Sequence, residues 1–320
     1  GNQVWFITAG GAIFAAWPIV YATAFSGFYW ALLLVLFALF FRPVGFEYRS
    51  KIDDPRWRGA WDWGLTVGGA VPALVFGVAF GNLLVGVPFG FDEFMRSTYT
   101  GSFWALLNPF ALLTGVISLL MLAMHGGTYL QMRTDGALHE RARKTSLYLA
   151  VVVAVAFAVA GFWVANLDGY VISAINDVTK AVTPLQKEVM LQSGGWLENY
   201  GRYPWMMSAP AMGFIGLLFT ALFSIANRGA LAFVSSSFAL TGIICTAGFS
   251  LFPFIMPSST FPAQSLTVWD VVSSELTLNI MFWVAMFFVP IILSYTAWGY
   301  YKMRGRLTTD FIESNKYSTY

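Results

Sequence analysis

Charge is scarce in this chain. Only 11% of its 320 residues are Asp, Glu, Lys or Arg, and none of them lies between Gly1 and Phe41. Cysteine is scarcer still: Cys245 stands alone inside an apolar run, which excludes an intrachain disulfide framework and a Cys-based metal centre. Histidine occurs twice, as His125 and His139, so haem or metal bound by this chain alone would have few ligands to draw on. The GxSxG, HExxH and P-loop patterns do not occur, so a self-contained hydrolase or nucleotide enzyme would lack its machinery. A net charge of +2 is too small to point to nucleic acid.

What fills the chain is apolar and aromatic: 58% hydrophobic residues, 18% Phe, Trp and Tyr, and a mean hydropathy of +0.65. Those values lie outside the usual soluble range, and aromatic belts at two membrane interfaces account for the rings. The run Phe28 to Phe41 ends at Arg42-Pro43 and enters a basic loop that closes at Arg58. As one helix, the charge-free stretch up to Phe41 would be roughly 60 Å long, about twice a hydrocarbon core. It therefore reads as two spans with a break at Ser26-Gly27. Eight spans are expected in all, near 3–25, 27–46, 61–85, 104–132, 146–166, 204–226, 230–253 and 276–301. The expected fold is an all-α polytopic transmembrane bundle forming one membrane domain over 1–320.

The basic residues are distributed unevenly between the ends of these spans. Arg42, Arg49, Lys51, Arg56 and Arg58 fall on one side, with Arg133, Arg141, Arg143, Lys144, Arg228 and the basic tail. The other side holds Arg96, Lys180, Lys187 and Arg202. The positive-inside rule then makes 47–60, 133–145 and 302–320 cytoplasmic, the C-terminus included, and 167–203 and 254–275 external. An interfacial helix is expected around Leu185 to Leu197. Gly1 is not a signal-peptide start, and an N-terminal part of the natural protein is expected to precede it.

Ionisable and polar groups at membrane depth are the candidates for function. Asp62, between Trp61 and Trp63, reads either as a helix-start acid or as a member of a proton-conducting chain. Arg42 reads as a snorkelling residue with a functional alternative. Asn2 and Gln3, beside Trp5, read as a cap or as residues buried against a partner. Asp270 and Glu275 suit the start of the last helix, His139 reads as solvated, and His125 reads as hydrogen-bonded rather than ligating. Asn82, Asn108 and Asn279 read as interhelical hydrogen bonders. Gly10-Gly11, Gly64, Gly68-Gly69 and Gly126-Gly127 would permit close helix approach.

Several stretches together resemble a known family. Gly1-Asn-Gln-Val-Trp5, Phe40-Phe-Arg-Pro-Val-Gly-Phe-Glu-Tyr-Arg-Ser-Lys51 and Gly77-Val-Ala-Phe-Gly-Asn-Leu-Leu84 are similar to subunit II of the bd-type quinol oxidases. So are Tyr129-Leu-Gln-Met-Arg-Thr134 and Phe252-Pro-Phe-Ile-Met-Pro-Ser-Ser-Thr260. The long proteobacterial form is the nearer match, and the resemblance extends from Gly1 to Tyr320. It implies an electrogenic terminal oxidase of the bacterial inner membrane, reducing oxygen with electrons from quinol. The resemblance implies that haems b558, b595 and d are carried by the partner subunit I, which this chain would stabilise. In some members a ubiquinone sits between the helices of subunit II as a structural lipid. Small single-helix accessory subunits and membrane lipid complete the implied partners. The family carries one further helix before the Gly-Asn-Gln-Val-Trp motif, making nine, with acidic residues proposed for proton delivery. Asn2, Gln3, Trp5, Arg42 and Asp62 are then the candidates for a subunit interface or a proton or oxygen path. The alternative is a secondary transporter, which would call for polar binding groups near the midplane and broken helices in corresponding halves.

Overall fold

The computed structural model describes residues 3–175, 183–185, 187–302 and 304–308. Seven of its helices are long and apolar enough to cross a membrane: α3 (Tyr29–Tyr48), α4 (Pro55–Val85), α5 (Pro109–Arg133), α6 (Gly136–Asn166), α8 (Ser208–Ile225, extended by a 3-10 turn from Pro204), α9 (Gly229–Leu251) and α10 (Glu275–Lys302). Three shorter helices join them, α1 (Gln3–Ala16), α2 (Pro18–Gly27) and α7 (Glu198–Arg202). The all-α membrane bundle stands as expected, but the expected count of eight spans does not. The span expected over 3–25 is divided at Trp17, whose backbone leaves the helical region (φ −136, ψ 71) ahead of Pro18. The pyrrolidine ring disfavours helical geometry in the preceding residue, and proline brings no N–H of its own. At 14 residues, α1 is about 21 Å long, short of a hydrocarbon core. The expected break at Ser26-Gly27 falls one residue later, at Phe28.

Helix ends account for two other shifts. Pro55 opens α4 behind Asp54, whose side chain accepts a hydrogen bond from the Arg56 N–H at 2.8 Å. This N-cap starts the helix six residues ahead of the expected position 61. Between α5 and α6 only Thr134 and Asp135 intervene, so α6 begins at Gly136 rather than near 146. Gly136 has a φ of +61, a conformation that glycine adopts without steric cost.

The interior is built from α4, α5, α6, α8 and α9. In lipid no hydrophobic force drives one helix onto another, so close packing must. A Cβ on Gly77 would collide with the Thr114 carbonyl, and one on Gly242 with the Gly213 backbone, so α4–α5 and α8–α9 approach backbone to backbone. Gly81, Gly115 and Gly216 extend these seams. Gly64, Gly68 and Gly127 also sit in tight contacts, whereas Gly10, Gly11, Gly69 and Gly126 have nothing within 4 Å.

The end opposite the basic loops is closed by a cap of three short antiparallel hairpins. β1 (Phe89–Phe91) pairs with β2 (Ser97–Tyr99), β3 (Asp168–Ile175) with β4 (Lys187–Ser193), and β5 (Phe254–Met256) with β6 (Leu266–Thr267). The interfacial helix expected around 185–197 is instead β4 followed by a 3-10 turn at Gly195–Leu197. Its partner is the β-prone segment Tyr170-Val-Ile172, in a register that runs from Asp168 opposite Ser193 to Ile175 opposite Lys187. The cap is tied to the bundle by the fully buried Trp196, whose indole N–H donates to the Leu84 carbonyl at 2.9 Å. α2 lies against β2 and β5.

Lys187 and Asp270 form a buried ion pair in the cap, with Nζ 2.5 Å from Oδ2 and side chains 5% and 2% exposed. Lys187 also donates to the Pro184 carbonyl, and Asp270 accepts from the Thr267 N–H. Asp270 therefore joins two hairpins and is not the helix-start acid expected of it, while Glu275 does open α10. Burial pushes the Lys187 ammonium down from its ordinary range, and the Asp270 charge opposes that shift.

Two outcomes follow. Gly77→Val should destabilise the bundle by about 3 kcal/mol through overpacking, while Gly69→Ala on the same helix leaves the thermal midpoint in detergent unchanged or slightly raised. Asp270→Leu should cost about 3–5 kcal/mol by stranding a buried cation. Adding Lys187→Met to it should recover most of the loss in the same thermal assay.

Candidate functional site

A cavity of about 710 Å³ lies between α4, α5, α6, α8 and α9 and the α7 region. Its walls are aliphatic and aromatic, with Phe76, Phe110, Phe157 and Phe214 contributing rings. Phe80 and Ile244 belong to the wall and are surface-exposed, so the cavity opens on an apolar flank. Gly161 also lines it and a Cβ there would meet nothing within 4 Å. One end is polar: the Tyr200 hydroxyl lies 3.0 Å from Ser250 Oγ and 3.1 Å from the Thr246 carbonyl, near the capped end of the bundle. Burial raises the Tyr200 pKa, so its phenol remains a protonated donor at neutral pH. The arrangement suits an amphipathic molecule with a long apolar body and one hydrogen-bonding head.

The residues nominated from the sequence lie elsewhere. Asn2 is outside the described residues, and Gln3 opens α1. Trp5 is exposed on the first turns of α1. Arg42 is half-buried near the basic end of α3, its side chain running beside Gly68 of α4. Asp62 is ion-paired with Arg49, with Nε 2.5 Å from Oδ1. Because α4 begins at Pro55, Asp62 sits about two turns inside it, and Asp54 takes the capping role instead.

Among the polar groups, His125, Asn82 and Asn108 hydrogen-bond as expected, and His139 and Asn279 depart from their readings. His125 Nδ1 is 2.8 Å from Ser236 Oγ, which is 3.0 Å from Thr128 Oγ1. His139 is not free in solvent as expected: its ring nitrogens lie 2.9 Å from the Gln131 carbonyl and 2.7 Å from Asn227 Oδ1. Asn82 and Asn108 bond each other at 3.0 Å, and Asn82 also reaches the Leu106 carbonyl, whereas Asn279 is exposed on α10. Tyr200, Ser250 and Gln131 had no signal in the sequence beyond their polarity. Among the described residues, no three His, Cys, Asp or Glu side chains come together.

α10 is set apart from all this. None of its residues is buried, and Trp283, Phe287, Phe288 and Trp298 are exposed along it. It is held at its ends, where the Ser273 N–H donates to the Ala16 carbonyl and the Leu307 N–H to the Arg133 carbonyl, each at 2.8 Å.

Comparison with known proteins places these features in context. A family model described as cytochrome bd terminal oxidase subunit II matches residues 1–303. The chain is 57% identical over its full length to a probable cytochrome oxidase subunit 2 of Haemophilus influenzae, covering 85% of that protein. It is equally similar, 57% over 321 aligned positions, to the cytochrome bd-I ubiquinol oxidase subunit 2 of Escherichia coli K12, again covering 85% of it. Cytochrome bd ubiquinol oxidase subunit 2 of Bacillus subtilis is 31% identical across 96% of this chain and 81% of its own length. The transporter alternative finds no support here. By the match across most of its length and by these identities, the chain belongs to the cytochrome bd terminal oxidase subunit II family.

Proposed function

We propose that this chain is the haem-free second subunit of a quinol:oxygen oxidoreductase, a terminal oxidase of the bacterial inner membrane. The observation that carries the reading is the family match over residues 1–303. Haems b558, b595 and d belong in this reading to subunit I. His139 has both ring nitrogens engaged in hydrogen bonds within its own chain, which supports that division. Subunit I would cover the flank that includes α10, a helix held at its ends and bare along its length. The start of α1 around Trp5 belongs to the same interface, and with it the candidate proton or oxygen path. The basic end, with the Arg49–Asp62 pair and the C-terminal tail, faces the cytoplasm by the positive-inside rule.

The 710 Å³ cavity would hold a ubiquinone as a structural lipid. Its apolar walls fit an isoprenoid chain, and the Ser250 hydroxyl, beside a Tyr200 phenol that already donates to the Thr246 carbonyl, is placed to donate to a ring carbonyl at the capped end. Such a molecule would fill space between α4, α6 and α9, and would add dispersion contacts between them.

Purification of the natural-length protein with its partner tests the main reading. Haem b and d bands in the reduced-minus-oxidised spectrum should accompany a larger membrane subunit, and both bands should be lost when this chain is removed. A stable, colourless, solitary protein would be the contrary result. For the cavity, Gly161→Leu places a side chain into the open space without striking a neighbour. It should lower the quinone extracted per complex at least about tenfold, as loss of apolar contact area of that size permits, while haem content stays unchanged.

A further inference from the structure

Two polar side chains inside the basic half of the bundle have groups with no hydrogen-bond partner. Gln131 on α5 and Ser146 on α6 are both 0% exposed. The Gln131 amide accepts from Ser224 on α8 at 3.3 Å through Oε1, but its Nε2 has no partner, and neither has Ser146 Oγ. If the amide is turned over, Oε1 becomes the orphan instead, so one end is left over in either orientation. A buried polar group without a partner loses the hydrogen bond it made to water, and two such groups in one contact region weigh on a single helix pair.

The helix geometry brings the two orphans to one space. A Cβ on Gly127 would run into Ser146 Oγ, so the serine hydroxyl stands level with Gly127 on α5. Gln131 is one turn further along the same face, and helical side chains lean back toward the N-terminus, over the preceding turn. Its side chain therefore leans back toward the turn of Gly127, against which Ser146 Oγ stands. Thr128, also fully buried, adjoins it and belongs to the group with Ser236 and His125.

We propose that Gln131 and Ser146 hold an internal water molecule between α5 and α6, beside Gly127. The water accepts from the amide N–H and exchanges a hydrogen bond with the serine hydroxyl, meeting both unmade requirements. Its position is between two polar groups that the fold otherwise leaves separate. On the basic side are His139, Asn227 and Ser224, gathered around the backbone and amide of Gln131. On the inner side are Thr128, Ser236 and His125. The water thus extends the hydrogen-bonded group at the basic surface inward to Ser146 of α6. Gly127 is required because a methyl there would strike Ser146 Oγ and displace one of the two groups that hold the water.

A high-resolution electron cryo-microscopy map of the intact oxidase tests this. The expected result is a solvent peak within about 3.2 Å of both Gln131 Nε2 and Ser146 Oγ. Ser146→Ala and Gly127→Ala should each abolish it with α5 and α6 unmoved. A wild-type map with no peak, in which the two atoms bond each other or another protein atom, overturns the proposal. So does a peak of full height that survives Ser146→Ala. Should either variant fail to assemble, the wild-type map still decides.

Discussion

Backbone-to-backbone contact at glycine is the constraint on which this architecture rests. Helices surrounded by lipid gain nothing from simple apolar burial against each other, so association depends on close fit. Gly77, Gly81 and Gly115 supply that fit between α4 and α5, and Gly213, Gly216 and Gly242 supply it between α8 and α9. Two tight pairs, bridged by α6, cannot also close on each other everywhere. The space that remains between them is the apolar cavity, and its existence follows from where the small residues are and are not.

The polar end of that cavity depends in turn on the cap. Tyr200 comes from a short helix in the loop between α6 and α8, and that loop is anchored by the β3–β4 hairpin and by Trp196 against Leu84. Asn199, its neighbour, donates to the Phe249 carbonyl at 2.9 Å near the end of α9. The cap therefore fixes a hydroxyl group at one end of a largely apolar space. The Lys187–Asp270 pair locks the hairpin to the segment that leads into α10, so one small region braces both cavity and outer helix.

Membrane class, bundle architecture and family were all legible from residues alone, because apolar length and the local motifs are signals contained within single segments. Helix boundaries were less so. Pro18 was visible, yet proline in a membrane helix is often absorbed, and only the tertiary setting decides that Trp17 breaks the run. The β4 strand was misread for a comparable reason: its partner β3 lies across a loop, and pairing at a distance leaves no mark on Lys187–Ser193 itself. The glycine seams show the same limit, since Gly69 and Gly77 look alike in sequence and only one faces another backbone. Buried polar groups such as Gln131 and Ser146 were hidden because depth within the bundle, rather than residue type, makes them unusual.

The loose attachment of α10 bears on how the chain is made. Synthesis runs from the N-terminus, so the five helices that pack around the cavity have all left the ribosome before α10 emerges. The core can thus consolidate while its last segment is still being inserted. That segment then arrives as a tethered aromatic post, joined to the finished core near Ala16 and Arg133 and free along its shaft. Assembly is in this way divided in time: the part that packs within the chain is completed first, and the helix with no buried residue comes after it.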